Sequence, residues 1–411
     1  MDVAERVRAR VAGLLGDFAA RGVLAGEPDL ARLAVAPCRD AANGDLTINA
    51  ALAFGPAWRG PGHGARGLAA ALAQDLARDA DVARVTAARG FLTLALSRHA
   101  LGAAAGAILG QGGLGLPAAS GAAWLVRVAA PRDREGVTGA LDGARAAVVA
   151  DALRRFRSAV GDEAALAVEA SGPSGSELLR SLGVASDRDR GSRAGSGACA
   201  VLTVVPRGGA QPEALGKAGS VVPVAACRLV PGPAGATPDA ALVGHDAAAL
   251  RFAMLCRPRP QPLELDPETA ADRSHAGPLF DVRYAHMRAA RLLRGFGPDT
   301  PPARAALARA GLSGLTAPAE RDLLRALALL PHALRRAFAE HEPSRLTAGL
   351  RDLAAAVHRQ WNASKDQPQL RFVNEERRDL TEARLGLMMA STIALKSGLG
   401  LFGITAPEEL R

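Results

Sequence analysis

Lysine is almost missing from this 411-residue chain: Lys217, Lys365 and Lys396 are the only three among 50 basic side chains, so the positive charge is nearly all guanidinium. A GC-rich genome produces the same bias, so on its own it assigns no function. Cysteine is scarce as well. Cys38, Cys199, Cys227 and Cys256 lie far apart with no Cys-x-x-Cys pair. That argues against a disulfide framework and a thiolate zinc site; reduced, structural thiols and no metal are expected. Aromatic residues make up 3% of the chain, with Tyr284 the one tyrosine, which leaves few stacking surfaces to weigh. No apolar run is long and unbroken enough for a membrane span. The N-terminal MDVAERVRARVAGLLGDF mixes charged and apolar residues at helical spacing, unlike a signal peptide. A cytoplasmic protein with no membrane partner is the expectation.

What is present sets the scale. With 49% hydrophobic residues the chain can bury substantial cores, and its length argues for two to three domains. The formal charge is +9 and the sequence pI about 10.4, which favours an anionic partner. The excess is uneven: residues 279–411 hold 20 basic against 14 acidic side chains, a net +6, whereas residues 1–119 hold 12 against 10, a net +2.

Residues 1 to about 28 read as one amphipathic helix on Val3, Val7, Val11, Leu14, Leu15 and Phe18, with Gly22, Gly26 and Pro28 as stops. A strand-like LAVAP follows, then a turn over residues 40–45 in which Asn43-Gly44 supplies positive φ. Ile48 to Phe54 and Gly67 to Arg78 read as helices, and Val82 to Thr86 and Gly90 to Ser97 as strands. Gly110 to Gly121 reads as a linker, Ala123 to Ala129 as a buried strand and Ala140 to Phe156 as a helix. Ser186 to Gly197 has the composition of a mobile loop, with short strands at Ala200 to Val205 and Ser220 to Val224. From Ala247 onward the pattern is almost wholly helical, which implies an antiparallel bundle.

The motifs LFDVRYAHMRAARLLR (279–294), DLLRALALLPHALRRAFAEHEPSRLTAGLRDLAAAVHRQWNA (322–363) and EARLGLMMASTIALKSGLGLFGITAPEELR (382–411), in that order, resemble the DALR-type anticodon-binding domain of arginyl-tRNA synthetases. NGDLTINAAL (43–52) and RGFLTLALS (89–97) resemble the His-Gly-Asp and Pro-Gly-Phe segments of that family's additional N-terminal domain. Asn43 replaces the family's His, and Thr93 stands where the family commonly has an Asn or Gln thought to touch the tRNA elbow. The resemblance implies a multidomain α+β chain. It would have a small α/β additional domain (1–110), a shortened Rossmann-like class I synthetase remnant (122–260) and an α-helical anticodon-binding bundle (261–411).

Class I synthetases stabilise phosphate charge with a His-x-Gly-His turn at a helix N-terminus and a Lys-Met-Ser-Lys-Ser loop. GARAAVVADALRR (143–155) resembles the helix after the first signature, which places the signature on Ala140, Leu141, Asp142 and Gly143. Both histidines are gone, and the Asp142 carboxylate would repel a triphosphate. VRVAAPRDREG also lacks the Ser and Asn that surround the family's amino-acid substrate. The second signature falls in Arg228 to Gly244, which holds no lysine, and only about ninety residues separate the two sites. The expectation is therefore a protein without aminoacylation activity, with no catalytic residue and no cofactor, ATP included.

Replacement chemistry is thinly signalled. His245-Asp246, His275 and His286 offer a base and an orienter, but scattered surface or core histidines fit the spacing better. GPSGSE (172–177) has phosphate-loop glycines without the Lys-Ser/Thr that should follow, and reads equally as a helix cap. Anticodon bases are read by stacking and edge hydrogen bonds, with Arg or Lys on phosphates. The candidates are Tyr284, Arg288 and Arg291 on one helical face, Trp361-Asn362 at the family's Tyr-Asn position, Arg371, Arg377 and Arg378, and Phe91 and Thr93 in the N-terminal domain. The expected partner is tRNA, arginine tRNA first. The alternatives are a residual arginine-tRNA ligase, a tRNA-dependent transferase, or a scaffold whose bundle binds a protein.

Overall fold

The computed structural model describes residues 2–38, 40–88, 90–128, 137–168, 172–186, 199–206, 220–230, 242, 244–296, 300–309 and 311–409. Two compact units divide the chain: Met1–Gly112 with Phe296–His332 and Ala356–Ser391, and Gly113–Gly295 with Ala333–Ala355 and Thr392–Arg411.

The first unit opens with α1 (Val3–Ala20), capped by the Asp2 carboxylate on the Glu5 N–H and packed through the apolar stripe read from sequence. It ends at Ala20 rather than near residue 28, because Gly22 adopts φ +72° and Leu24 bridges to Trp58. Next come β1 (Val35–Pro37), β2 (Leu46–Ile48), α2 (Ala50–Phe54), α3 (Gly64–Leu76), β3 (Val82–Ala88) and β4 (Phe91–Leu96), and the four strands form an antiparallel sheet in the order β1-β2-β4-β3. Ile48 therefore closes a strand instead of opening a helix. Its buried side chain alternates with Leu46, a two-residue period too short to see in isolation. At the β2 turn Gly44 has φ +144°, and a Cβ there would sit 2.7 Å from the Leu94 carbonyl. Only glycine fits.

α4 (Arg98–Gln111), a helix that the sequence pattern does not announce, runs into the expected linker and stops where Gly112 turns left-handed at φ +65°. Its alanines and glycines blur the apolar stripe, and Gly102 lets the Leu312–Ser313 backbone approach closely.

The second unit contains an all-parallel sheet of β5 (Ala123–Val128), β6 (Ala164–Val168), β7 (Cys199–Pro206) and β8 (Ser220–Val224), ordered β6-β5-β7-β8. α5 (Val137–Ala159) and α6 (Gly172–Ser181) supply the crossovers, so the strand order reverses beside β5 as in doubly wound folds. GPSGSE lies within α6, which agrees with a helix start rather than an extended phosphate loop. The loop expected over Ser186 to Gly197 lies, apart from Ser186, outside the described residues. β9 (Cys227–Leu229) pairs in parallel with β10 (Leu263–Leu265), a strand of three residues that the helical pattern concealed. α7 (Ala247–Cys256) and α8 (Pro267–Ala271) flank β10, and α9 (Pro278–Arg294) packs on α7.

The remaining helices are α10 (Pro301–Arg309), α11 (Pro318–Ala339), α12 (Ser344–Asp366) and α13 (Arg378–Gly400). The leucine stripes read from sequence on α11 and α12 are buried: Leu323, Leu324 and Leu327, then Leu346, Leu350 and Leu353. The chain is thus α/β with a helical C-terminal part, and no helix among the described residues is long and apolar enough to cross a membrane.

Candidate nucleic-acid interface

The positions where the first signature is expected come first. Ala140 to Gly143 lie inside the first two turns of α5. Asp142 is buried, and its carboxylate accepts the Cys227 backbone N–H at 2.6 Å, tying α5 to β9. The expected repulsive carboxylate is thus turned into the unit and used as a structural acceptor. One turn on, Arg145 is fully buried and donates to the carbonyls of Ala225, Gln261, Arg257 and Pro258 at 2.8 to 3.2 Å. Burial lowers its pKa most, partly offset by Cys227, Glu342 and Asp142. Burial also pushes the Cys227 thiol up to about 12. Further along the helix, Asp151 binds Arg251 at 2.6 Å as well as Arg154 and Arg155. Asp142, Arg145 and Asp151 are thus spent inside the unit. PRDREG, and Arg228 to Gly244 apart from residues 228–230, 242 and 244, lie outside the described residues.

The histidines each take a separate partner. His245 Nε2 lies 3.4 Å from Glu268, while Asp246 caps α7 and pairs with Arg283. His275 meets Asp281, and buried His286 meets the Pro407 carbonyl at 3.1 Å. No nucleophile stands beside a base in these contacts.

In the second unit, α9 brings Tyr284 and Arg288 together: the guanidinium carbon lies 4.2 Å from the ring centroid, and Phe280 stacks on the same tyrosine at 5.6 Å. A guanidinium over a phenol ring is a cation–π pair, and arginine and tyrosine are side chains on which an unstacked base can stack. Arg291 is exposed one turn further on.

In the first unit, Trp361 is half-buried against Phe372, 5.5 Å between centroids, and Asn362 is exposed beside it. The loop after α12 is tightly built. Thr381 Oγ1 donates to the Asn374 carbonyl and accepts its N–H, Asn374 Oδ1 accepts the Glu376 and Arg377 N–H groups, and Arg384 donates to the Arg371 carbonyl at 2.7 Å. Arg371 is exposed there. Arg377 forks onto Asp379, and Arg378 pairs with Glu382 at 2.9 Å, so a phosphate must compete with carboxylates for both. Phe91, 41% exposed, and half-buried Thr93 share a face of β4.

Sequence reasoning missed the polar anchors beneath these surfaces. Asp45 is fully buried, accepts the Leu96 N–H at 2.7 Å and pairs with Arg321 and Arg325 of α11 at 2.9 Å each. Glu320 accepts the Thr316 and Ala317 N–H groups and binds Arg384 at 2.8 Å. Asp45 stands next to the Asn-Gly turn that composition reveals, but nothing local points to partners some 280 residues away.

Residues 282–410 match the family described as DALR anticodon binding domain. The chain is 42% identical over 174 residues to an arginine–tRNA ligase of Rhizobium etli and 42% identical over 172 residues to one of Beijerinckia indica. Each alignment takes in 41% of this chain and 29% of the relative, so the chain matches under a third of the length of these curated relatives. Among solved structures, it resembles the Thermus thermophilus arginyl-tRNA synthetase (TM-score 0.61, 15% identity, 99% of this chain and 100% of that one). It also resembles the Plasmodium falciparum enzyme (TM-score 0.66, 9% identity, 98% and 99%). At such identities the likeness is one of fold.

Proposed function

From an arginyl-tRNA synthetase-related chain with a DALR anticodon-binding domain, we propose a tRNA-binding protein that has lost arginyl-adenylate formation. The observation that carries the loss is the fate of the first signature. Its histidines are replaced, Asp142 accepts the Cys227 N–H, and Arg145 is held by backbone carbonyls, so neither of these two side chains is left to meet a triphosphate. Those residues do not fit ATP. The shortened stretch between the two signature positions points the same way, and supports reading the parallel sheet as a remnant.

Binding is supported by what the C-terminal part retains: the matched domain, the Tyr284–Arg288 stack and exposed Arg291, and in the first unit Trp361 and the braced loop with Arg371. Arginine tRNA is the first candidate because the matched relatives are named arginine–tRNA ligases. Filter binding of the full chain to arginine tRNA and to bulk tRNA at two salt concentrations tests the reading. Saturable, salt-sensitive binding is expected, and its absence would remove the proposal. The same names favour one other reading, a residual ligase. Arginine-dependent exchange between ATP and pyrophosphate decides between them: none is expected, and exchange above background would replace the pseudoenzyme with an active ligase.

A further inference from the structure

We propose that β3, the outer strand of the sheet in the first unit, pairs edge to edge with β3 of a second copy of this chain, joining two four-stranded sheets into one of eight. The pairing goes beyond tRNA binding and does not depend on it.

β3 is last in the order β1-β2-β4-β3, so only one of its two edges is used. Beyond the ladder with β4, no backbone group of residues 83–88 has a hydrogen-bond partner among the described residues. Ala83, Arg84, Thr86, Ala87 and Ala88 are exposed, and Val85 is half-buried. An open edge is a template for another strand, and chains that must stay apart blunt theirs with proline, lysine or a bulge. β3 holds neither proline nor lysine. Its bulge sits at one end: the register with β4 shifts between Val82, opposite Leu96, and Arg84, opposite Ala95, so Ala83 is the extra residue. The shift turns Arg84 to the face that carries Ala95, Thr93 and Phe91, and leaves Arg84 to Ala88 as a regular stretch.

That stretch is complementary to itself. An antiparallel two-fold at its centre, Thr86, sets Arg84 opposite Ala88 of the second copy, Val85 opposite Ala87, and Thr86 opposite its own counterpart. Facing residues then lie on the same side of the joint sheet. Val85 and Ala87 meet on the side where Leu92 and Leu94 are buried, and the two threonine hydroxyls meet on the other. Arg84, the one charge in the stretch, faces an alanine. Its counterpart is four residues along the ladder, about 13 Å away, beyond the ~8 Å screening length of physiological salt. A parallel pairing in register would instead set arginine against arginine. An acidic peptide would find a single guanidinium on this edge, so charge gives it little hold. Five residues from each copy bury less than the ~1,600 Å² of a standard interface, so the dimer is weak, with dissociation on the order of 10–100 µM.

The test is analytical ultracentrifugation of the full, nuclease-treated chain at concentrations up to about 300 µM. A reversible monomer–dimer equilibrium is expected, and a monomer throughout overturns the proposal. T86E and T86K each set like charges opposite one another, and each should weaken the dimer about tenfold. An equal mixture of the two should recover association at least as strong as in the unaltered chain, because opposite charges now face each other across the two-fold. Variants that dimerise like the unaltered chain, or a mixture no better than its components, would also overturn the pairing. If the charged variants fail to fold, mild oxidation of T86C decides, since directly opposite side chains are near enough for a disulfide. A linked dimer is expected for T86C and not for Q74C, whose exposed position on α3 is off the strand. No linkage in T86C, or equal linkage in both, overturns the proposal.

Discussion

Asp45 shows what a single side chain can do to an assembly of distant segments. Its carboxylate has no exposure, and three donors converge on it: the Leu96 N–H from β4 and the guanidinium groups of Arg321 and Arg325. Asp45→Ala leaves Arg325 without its carboxylate in a half-buried setting, while Arg321 is about a third exposed and can turn to water. The expected loss is about 2–4 kcal/mol in urea unfolding, less than for a wholly buried pair. The double variant Asp45→Ala, Arg325→Met should recover part of that, because it removes the stranded charge with its partner. A single-variant loss below about 0.5 kcal/mol would mean that the clamp contributes little. Asp45 is also a residue whose importance the local sequence half reveals. The Asn-Gly turn beside it is visible from composition, because only glycine tolerates its φ; the arginines are not, because they arrive from another part of the chain.

At the scale of elements, α11 and α13 are joined through their polar ends as well as their leucines. Glu320, in the first turn of α11, accepts two N–H groups that the helix leaves unpaired and also binds Arg384 of α13. Arg384 then holds the Arg371 carbonyl, so the loop that presents Arg371 is braced from beneath. Glu320→Gln keeps an acceptor at the cap but drops the charge that faces Arg384. It should cost about 1–3 kcal/mol, and amide hydrogen exchange should quicken across residues 370–376 while α4 is unaffected. Equal protection in the two proteins would show that the loop stands without the pair. Helices with an uninterrupted leucine stripe were legible in the sequence, since a 3.6-residue period needs no partner to be seen. Three-residue strands such as β2 and β10 were not, because so short an alternation acquires meaning only when a neighbouring strand supplies its hydrogen bonds. The bulge at Ala83 is a further case: its effect on Arg84 exists only in the register with β4.

The whole molecule should be acid-sensitive, with the sensitivity set by its second unit. Burial depresses the pKa of His286, outweighing its bond to the Pro407 carbonyl, and burial with the charges of Arg157 and Arg259 depresses that of His341. Both are held neutral in the folded state, so the unfolded chain takes up more protons once the pH falls below the ordinary 6.5. Their contribution is complete above that value and is lost as the pH drops from it towards the depressed folded values, by up to about 1.4 kcal/mol per unit for each group. Asp151 adds a second, lower window. Burial alone would raise its pKa, but Arg155, Arg251 and Arg154 together bring it below 3.8, so its contribution persists above that value and disappears below it. Urea midpoints should be nearly flat above about pH 7 and decline below about 6.5; a flat profile down to about pH 5 would contradict this assignment. By itself the sequence determined which residues occupy positions 140–143, where the basic surplus lies, and which long segments are helices, because residue identity and periodicity are local properties. Only the tertiary structure decided that Asp142 and Arg145 are consumed by backbone groups of other segments, that Asp45 and Glu320 anchor distant arginines, and that Arg84 shares a face with Phe91. Those outcomes depend on burial, register and long-range pairing, which come into being only when separate parts of the chain exclude water together.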